Sequence, residues 1–364
     1  MEIGIVGLPN VGKSTIFNAL TQGNAPSSNY PFTTIEPNVG IVTVPDDRLN
    51  KLTAMCCSKL TTPTIIKFVD IAGLVQGASK GEGLGNKFLA NIREVDAIAH
   101  IVRCFAEGNI THVSGKVDPL SDIEIINLEL ILADLETVNT RISRTERPSQ
   151  SGDKKAKADM DCLVRLRELL EKGLPARSAD YTEDETKLLK ELNLLTTKPV
   201  LYVANVSEND IQNPEKNELL NQVKQKALEE HSRVIAISAK IESEIAQLQG
   251  EEKTLFMKEL SISRSGLDNL ITEAYSLLEL ITFFTSGEKE TRAWTVRKNT
   301  KAPQAAGVIH TDFEKGFIRA EVVSFEDLIK LGSMNAAREK GLVRLEGKDY
   351  TVRDGDVMYF RFSS

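Results

Sequence analysis

The stretch that most constrains this chain is its beginning. Met1 to Val6 is a short apolar run of buried-strand type, and Ile16 to Leu20 reads as a helix. Between them, Gly7-Leu8-Pro9-Asn10-Val11-Gly12-Lys13-Ser14 spells G-x-x-x-x-G-K-S in a strand–loop–helix setting. Gly7 and Gly12 let the backbone curl so that the N–H groups of Asn10 to Thr15 converge on phosphate oxygens. The helix opening at Lys13 points its positive end at the same anion. The Lys13 ammonium reaches the β- and γ-phosphates, and the Ser14 hydroxyl ligates Mg²⁺. This is a phosphate-binding loop.

Two downstream segments are spaced to complete a nucleotide switch. Asn29 to Asn38 is a loop holding Pro31 and Pro37, and Thr33 and Thr34 both lie where a loop threonine ligates Mg²⁺ and senses the γ-phosphate. Spacing does not separate the two. Thr64 to Gly73 is a strand ending in Asp70-Ile71-Ala72-Gly73. There Asp70 holds the magnesium through its water shell, and the Gly73 N–H bonds the γ-phosphate. Ras-type switches place a water-orienting glutamine next. Here the position is Leu74, which cannot polarise water, and Gln76 is two residues out of register. His112, in a polar loop after the strand Ala97 to Phe105, could supply that function or be a solvated loop histidine.

Composition excludes several classes. The 364 residues suit two or three domains, and 41% hydrophobic with 27% charged is ordinary for a globular chain. No stretch approaches the roughly 20 apolar residues of a membrane span, so no membrane partner is expected. A phosphate loop starting at residue 7 leaves no room for a signal peptide. Cys56, Cys57, Cys104 and Cys162 have neither metal-site nor framework spacing, which fits reduced thiols and a cytoplasmic location. The net charge of −7 argues against a nucleic-acid-coating protein, but it is uneven: residues 280–364 carry +2 and the remainder −9.

The sheet of the nucleotide domain resumes only at Lys198. The intervening segment repeats apolar residues at helical spacing, first Ile123, Ile126, Leu130 and Val138, then Leu163, Leu166 and Leu170. This predicts an antiparallel helical hairpin over 121–197, with a polar tip from Glu146 to Lys157. Asn205-Val206-Ser207-Glu208 follows a strand, where guanine-specific switches carry N-K-x-D. The longer Glu208 and the apolar Val206 weaken guanine recognition and make adenine plausible. Ser238-Ala239-Lys240 supplies a wall on the base side. Beyond Phe283 several short strands and a helix form a small mixed sheet, and Lys289 to Lys301 sets five basic residues around Trp294. That composition suits an RNA surface or a solvated strand face.

Together these stretches make the chain resemble the YchF or Obg-like ATPase subfamily of the Obg-related P-loop (TRAFAC class) NTPases over essentially its full length. The carriers are residues 7–15, 30–38, 70–75, 77–86 and 205–208, with 287–294 and 310–318 near the C-terminus. The resemblance implies an α/β fold in three parts. They are an Obg-type P-loop domain over 1–256 with a mainly parallel sheet, the helical (coiled-coil) insert at 121–197, and a ubiquitin-like β-grasp (TGS) domain over 280–364. It implies ATP bound in preference to GTP, slow Mg²⁺-dependent hydrolysis, and association with ribosomes, with rRNA or tRNA met through the TGS domain. It places Mg²⁺ on Ser14 and Thr34, adenine contacts at Asn205 and the Val206 backbone, and a loop histidine at His112. Asn10 occurs in relatives that use K⁺ as an activating ion. The family usually has Cys where this chain has Thr33. Two alternatives stay open: a GTP-specific switch of the same fold, and a nucleotide-gated ribosome- or RNA-binding module with negligible turnover.

Overall fold

A computed structural model describes residues 1–23, 38–71, 84–106 and 117–363. The chain divides into two compact units. The first comprises the described residues of Met1–Gly23, 38–40 and Lys67–Leu270, and the second Ile41–Ile66 and 271–363.

In chain order the elements begin with β1 (Glu2–Val6), α1 (Lys13–Gly23), β2 (Val39–Thr43), α2 (Asp47–Cys56), β3 (Leu60–Thr62) and β4 (Ile65–Asp70). There follow α3 (Leu84–Glu94), β5 (Ala97–Arg103), α4 (Pro119–Gln150), α5 (Lys154–Glu171) and α6 (Glu183–Leu192). Then come β6 (Val200–Asn205), α7 (Glu218–Glu229), β7 (Arg233–Ile237), α8 (Ala239–Ile245), α9 (Gly250–Glu259) and α10 (Gly266–Leu277). The C-terminal part holds β8 (Leu280–Ser286), β9 (Glu290–Arg297), α11 (Ala302–Ile309), α12 (Thr311–Lys315) and β10 (Phe317–Ser324). It ends with α13 (Phe325–Leu331), α14 (Met334–Glu339), β11 (Arg344–Glu346) and β12 (Asp356–Phe362).

The first sheet has the order β2-β4-β1-β5-β6-β7 among the described residues. β1 pairs in parallel with β4 and β5, β5 with β6, and β6 with β7. All residues of β5 and β6 are buried, as expected of central parallel strands covered on both faces. The register aligns Ile5 with Asp70, Arg103 with Asn205, and Asn205 with Ile237. The carboxyl ends of β1, β4, β5, β6 and β7 therefore share one edge of the sheet, where ligands of such sheets collect.

The predicted helical hairpin is present, with a shorter tip than the sequence suggests. α4 starts at an Asp118 cap and Pro119, and continues through Pro148 to Gln150. Pro148 lies in the final turn, so the hydrogen bond it forfeits does not end the helix early. The Asp153 side chain accepts from the N–H groups of Lys155 and Ala156 and starts α5. Ile131 and Val138 of α4, Leu163, Leu166 and Leu170 of α5, and Leu188 and Leu189 of α6 form one buried cluster.

Buried polar groups tie this insert to the sheet. The Asp134 carboxylate in α4 accepts from the N–H groups of Leu195 and Thr196 and from the Thr196 hydroxyl, all at 2.6–2.8 Å. Glu230, behind α7, pairs with Arg177 at 2.5 Å and accepts from the Tyr202 hydroxyl at 2.7 Å and the Asn127 amide at 3.0 Å. His100 in β5 is buried 5.6 Å from the Tyr202 ring, and its Nε2 has no hydrogen-bond partner among the described residues. Burial, aided by the Arg177 charge, drops its pKa to about 3.

The His100 shift has a thermodynamic consequence. An unfolded histidine takes up a proton near pH 6.5, whereas folded His100 refuses one until about pH 3. The stability it contributes is therefore present above pH 6.5 and lost as pH falls. Urea denaturation should show stability declining by up to about 1.4 kcal/mol per pH unit from this residue between pH 6 and 5. His100→Phe should flatten that slope. An unchanged slope would count against the assignment.

The second unit is a mixed sheet of order β11-β10-β12-β8-β9-β3 among the described residues. α11 lays Ala302, Ala305 and Ala306 on Phe283, Val322, Met358 and Phe360, its small side chains allowing the close approach. On the opposite face, Leu49 and Leu52 of α2 pack with Phe284, Ala293, Val323, Phe325 and Val357. β3 pairs in parallel with β9, Leu60 facing Glu290 and Thr62 facing Arg292. α2 and β3, which the sequence places in the nucleotide domain, thus belong to the C-terminal unit, because that unit's core covers the apolar face of α2 and β3 extends its sheet. Trp294 is also committed to this unit. Its ring lies 6.4 Å from Phe283 under the Arg292 guanidinium at 4.0 Å, and its N–H donates to Thr285. It is not an open stacking platform.

Candidate nucleotide site

The phosphate loop leaves β1 at Gly7 and enters α1 at Lys13. Gly12 has φ +96°, and a Cβ there would run into the Asn205 amide, so glycine is required both by backbone and by space. A Cβ on Gly7 would sit 2.8 Å from the Ile101 carbonyl. Asn10 also holds the left-handed region, at φ 65°, which asparagine tolerates better than most side chains. The Ser14 and Thr15 hydroxyls at the first turn of α1 are exposed, while Val11 and Ile16 are buried and anchor the loop beneath them.

Lys13 forms an ion pair with Asp70, whose strand β4 ends directly beside β1. The two residues that the sequence assigns to phosphate and metal are thus at one spot. Asn205, at the tip of β6, does something the motif does not reveal. Its Nδ2 donates to the Val11 carbonyl at 2.9 Å, and its Oδ1 accepts from the Ala239 N–H at 3.0 Å. One buried carboxamide therefore staples the phosphate loop to the Ser238–Ala239 wall.

A cavity of about 850 Å³ opens along this edge, from Gly12 and Thr15 past Asn205 and Val206 to Ser238 and Ala239. Its size suits a nucleotide. The Val206 N–H is taken by the Ile237 carbonyl at 2.8 Å, which leaves the Val206 carbonyl as its backbone group for a ligand. Glu208, where a guanine-reading Asp would stand, pairs instead with Lys240 at 2.8 Å. Both side chains are substantially exposed at the cavity's rim. The next turn is rigid: Asp210 accepts from Ser207 at 2.7 Å and from Asn217 at 3.0 Å, and Asn217 also donates to the Cys104 carbonyl.

The structure brings together Asn10, Val11, Gly12, Lys13, Ser14, Thr15, Asp70, Asn205, Val206, Glu208, Ser238 and Ala239. Thr34, Gly73, Leu74 and His112 lie outside the described residues. Sequence reasoning missed Phe105 and Ala106, which also line the cavity. The Phe105 ring is held at 4.6 Å by Arg103, whose Nε donates to the Phe105 carbonyl. The only available signal was their position just after a buried strand.

The donor set fits Mg²⁺. An exposed serine hydroxyl and an adjacent carboxylate are hard oxygen ligands, and no cluster of three or more His, Cys, Asp or Glu occurs among the described residues. A Mg²⁺ site needs no such cage, because this ion keeps waters and takes substrate phosphate oxygens.

Comparison with known proteins agrees with this geometry. Residues 2–133 match the family model described as 50S ribosome-binding GTPase. Residues 280–363 match the YchF GTPase C-terminal model, described as a protein of unknown function. The chain is 61% identical to the ribosome-binding ATPase YchF of Bacillus subtilis, over 100% of this chain and 99% of that one. It is 52% identical to the protein of the same name from Escherichia coli O157:H7, with the same coverage. Among solved structures, the YchF GTPase of Schizosaccharomyces pombe superposes with a TM-score of 0.90 at 39% identity, covering 99% of this chain and 97% of that one. No helix among the described residues is long and apolar enough to cross a membrane. With a phosphate loop, its Asp70 partner and an altered base motif on one sheet edge, this chain belongs to the YchF family of P-loop NTPases.

Proposed function

We propose that this protein is a cytoplasmic, Mg²⁺-dependent ATPase that works as a slow conformational switch on ribosomes, with GTP the weaker substrate. The observation that carries the adenine assignment is the base end of the cavity, where Glu208 is engaged by Lys240 and Val206 offers a carbonyl. A carbonyl there suits the exocyclic amine of adenine and opposes the guanine O6. Ribosome binding and ATP hydrolysis are what the names of the Bacillus and Escherichia relatives state.

In this reading the loop N–H groups and Lys13 bind the phosphates, Lys13 leaving Asp70 for the γ-phosphate. Ser14, Thr34 and Asp70, the last through water, would hold Mg²⁺, which supplies neutralisation of charge between the β- and γ-phosphates. Asn10 is the residue at which K⁺ would act. The Gly73 N–H would bond the γ-phosphate, and His112 would orient the attacking water where Leu74 replaces a glutamine. Single-turnover hydrolysis by His112→Ala at unaltered ATP affinity tests the histidine, and a wild-type rate would remove it from catalysis. The conformational output passes to the ribosome, with rRNA or tRNA met by the C-terminal unit.

Paired calorimetric titrations with ATP and GTP in Mg²⁺, with and without ribosomes, test the whole reading. ATP should bind more tightly, and GTP binding at least as tight would refute it. Lys240→Ala provides a finer probe. Freed of its partner, Glu208 can accept from guanine N1–H and N2–H₂, so the GTP-to-ATP affinity ratio should rise roughly two- to fivefold, the worth of an exposed ion pair. A ratio that stays put would mean that Glu208 does not face the base.

A further inference from the structure

The outer face of the C-terminal sheet is covered by apolar contacts at one end only. Val323 and Val357 lie in the cluster formed with α2, α13 and α14, but two residues further along their strands the face is open. The antiparallel registers set Glu321 opposite Tyr359 and Leu345, and Arg319 opposite Arg361. Residues paired in this way share a face. Tyr359 is 52% and Leu345 63% exposed, and Arg319 is exposed as well.

The chemistry of this face is specific. The Arg361 guanidinium lies 4.5 Å from the Tyr359 ring. Its Nε and Nη2 both donate to Glu321 at 3.1 Å, and Arg338 of α14 donates to the other Glu321 oxygen at 2.9 Å. Glu321 is 7% exposed, so one sunken carboxylate orients two arginines whose side chains remain about half exposed. The Arg338 hydrogen bond, with help from Arg361, holds Glu321 below the usual carboxylate range, so it stays ionised and keeps both guanidiniums in place. Arg319, Arg338 and Arg361 against Glu321 leave a surplus of two positive charges around an exposed aromatic ring. It stands in a C-terminal stretch, residues 280–364, whose balance is +2 in a chain of net charge −7.

We infer that this open face of β10, β11 and β12 binds single-stranded RNA, with Tyr359 and Arg361 as a stacking platform and Arg319 and Arg338 on the phosphates. Bases stack on aromatic rings and guanidinium planes, while cations track the backbone. A duplex hides its base faces and would meet only the charges. The inference rests on the proposed contact between the C-terminal unit and RNA, and it moves that contact from the half-buried Trp294, whose ring lies between Phe283 and Arg292, to the exposed Tyr359.

The test uses the full-length protein and a fluorescently labelled oligouridylate. Tyr359→Ala should weaken binding about tenfold, and Tyr359→Phe should retain it, since the ring and not the hydroxyl does the stacking. Arg319→Glu should weaken binding and reduce the slope of log affinity against log salt by about one or more. ATP affinity should be unaltered in all three, and an unaltered urea-denaturation midpoint reports that the C-terminal unit remains folded. Oligouridylate binding by Tyr359→Ala and Arg319→Glu within twofold of the parent would overturn the inference. Loss of ribosome pelleting in these variants with unaltered oligonucleotide binding would overturn it too, identifying a protein partner for the face. A parent chain that binds the oligonucleotide through these residues but does not pellet with ribosomes would uphold the inference and sink the ribosomal reading alone.

Discussion

Asn205→Ala should abolish useful nucleotide binding without removing any group from the phosphate loop itself. The variant leaves the Val11 carbonyl and the Ala239 N–H without the partners they have in the buried interior. Each orphaned group costs about 1–3 kcal/mol. Unfolding free energy should therefore drop by about 2–6 kcal/mol. Where the loop relaxes to recover those bonds, its N–H groups no longer converge, and the cost appears as lost affinity. A loss of at least about a hundredfold in ATP affinity is expected, corresponding to roughly 2.7 kcal/mol. Titration with ATP, together with urea denaturation, measures both parts. Wild-type affinity in a folded Asn205→Ala protein would show that the loop holds its shape unaided.

Glu230→Ala is expected to be the most destabilising single change at the seam between the insert and the sheet. Arg177 is 7% and Glu230 1% exposed, so removal of the carboxylate strands a guanidinium inside the protein. It also removes the acceptor for Tyr202 and for the Asn127 amide. Breaking one half of a buried ion pair costs about 3–5 kcal/mol, a large share of a typical domain's stability. Because Asn127 lies in α4 and Tyr202 in β6, the damage should reach the seam between insert and sheet. Hydrogen exchange should accelerate at both elements. Arg177→Met combined with Glu230→Gln should recover most of the loss, since no buried charge then remains. A loss below about 1 kcal/mol in the single variant would mean that water already solvates the pair.

Much of the nucleotide site was legible because its chemistry is local. Gly7 to Ser14 encodes a loop, a helix start and a charge within eight residues, and no partner is needed to recognise it. Asp70 was legible because it ends an apolar strand. Lys240 was visible within Ser238-Ala239-Lys240, but its pairing with Glu208 was not, since two exposed side chains meet only through the register of β6 and β7. The α4–α5 hairpin followed from periodicity, while its tip was misplaced because Pro148 sits within a turn of the helix end.

The sequence by itself determined the ligand class, the parallel sheet behind the loop and the presence of a helical insert. These depend on short-range spacing and on which residues can form a given backbone. Only the tertiary structure decided three other matters. It bound Asn205 to Val11 and Ala239, it packed α2 and β3 into the C-terminal unit, and it set Trp294 between Phe283 and Arg292 while leaving Tyr359 exposed. Each depends on which apolar faces cover one another across long stretches of chain. A strand's alternation says that it has two faces, but not which one another element will cover.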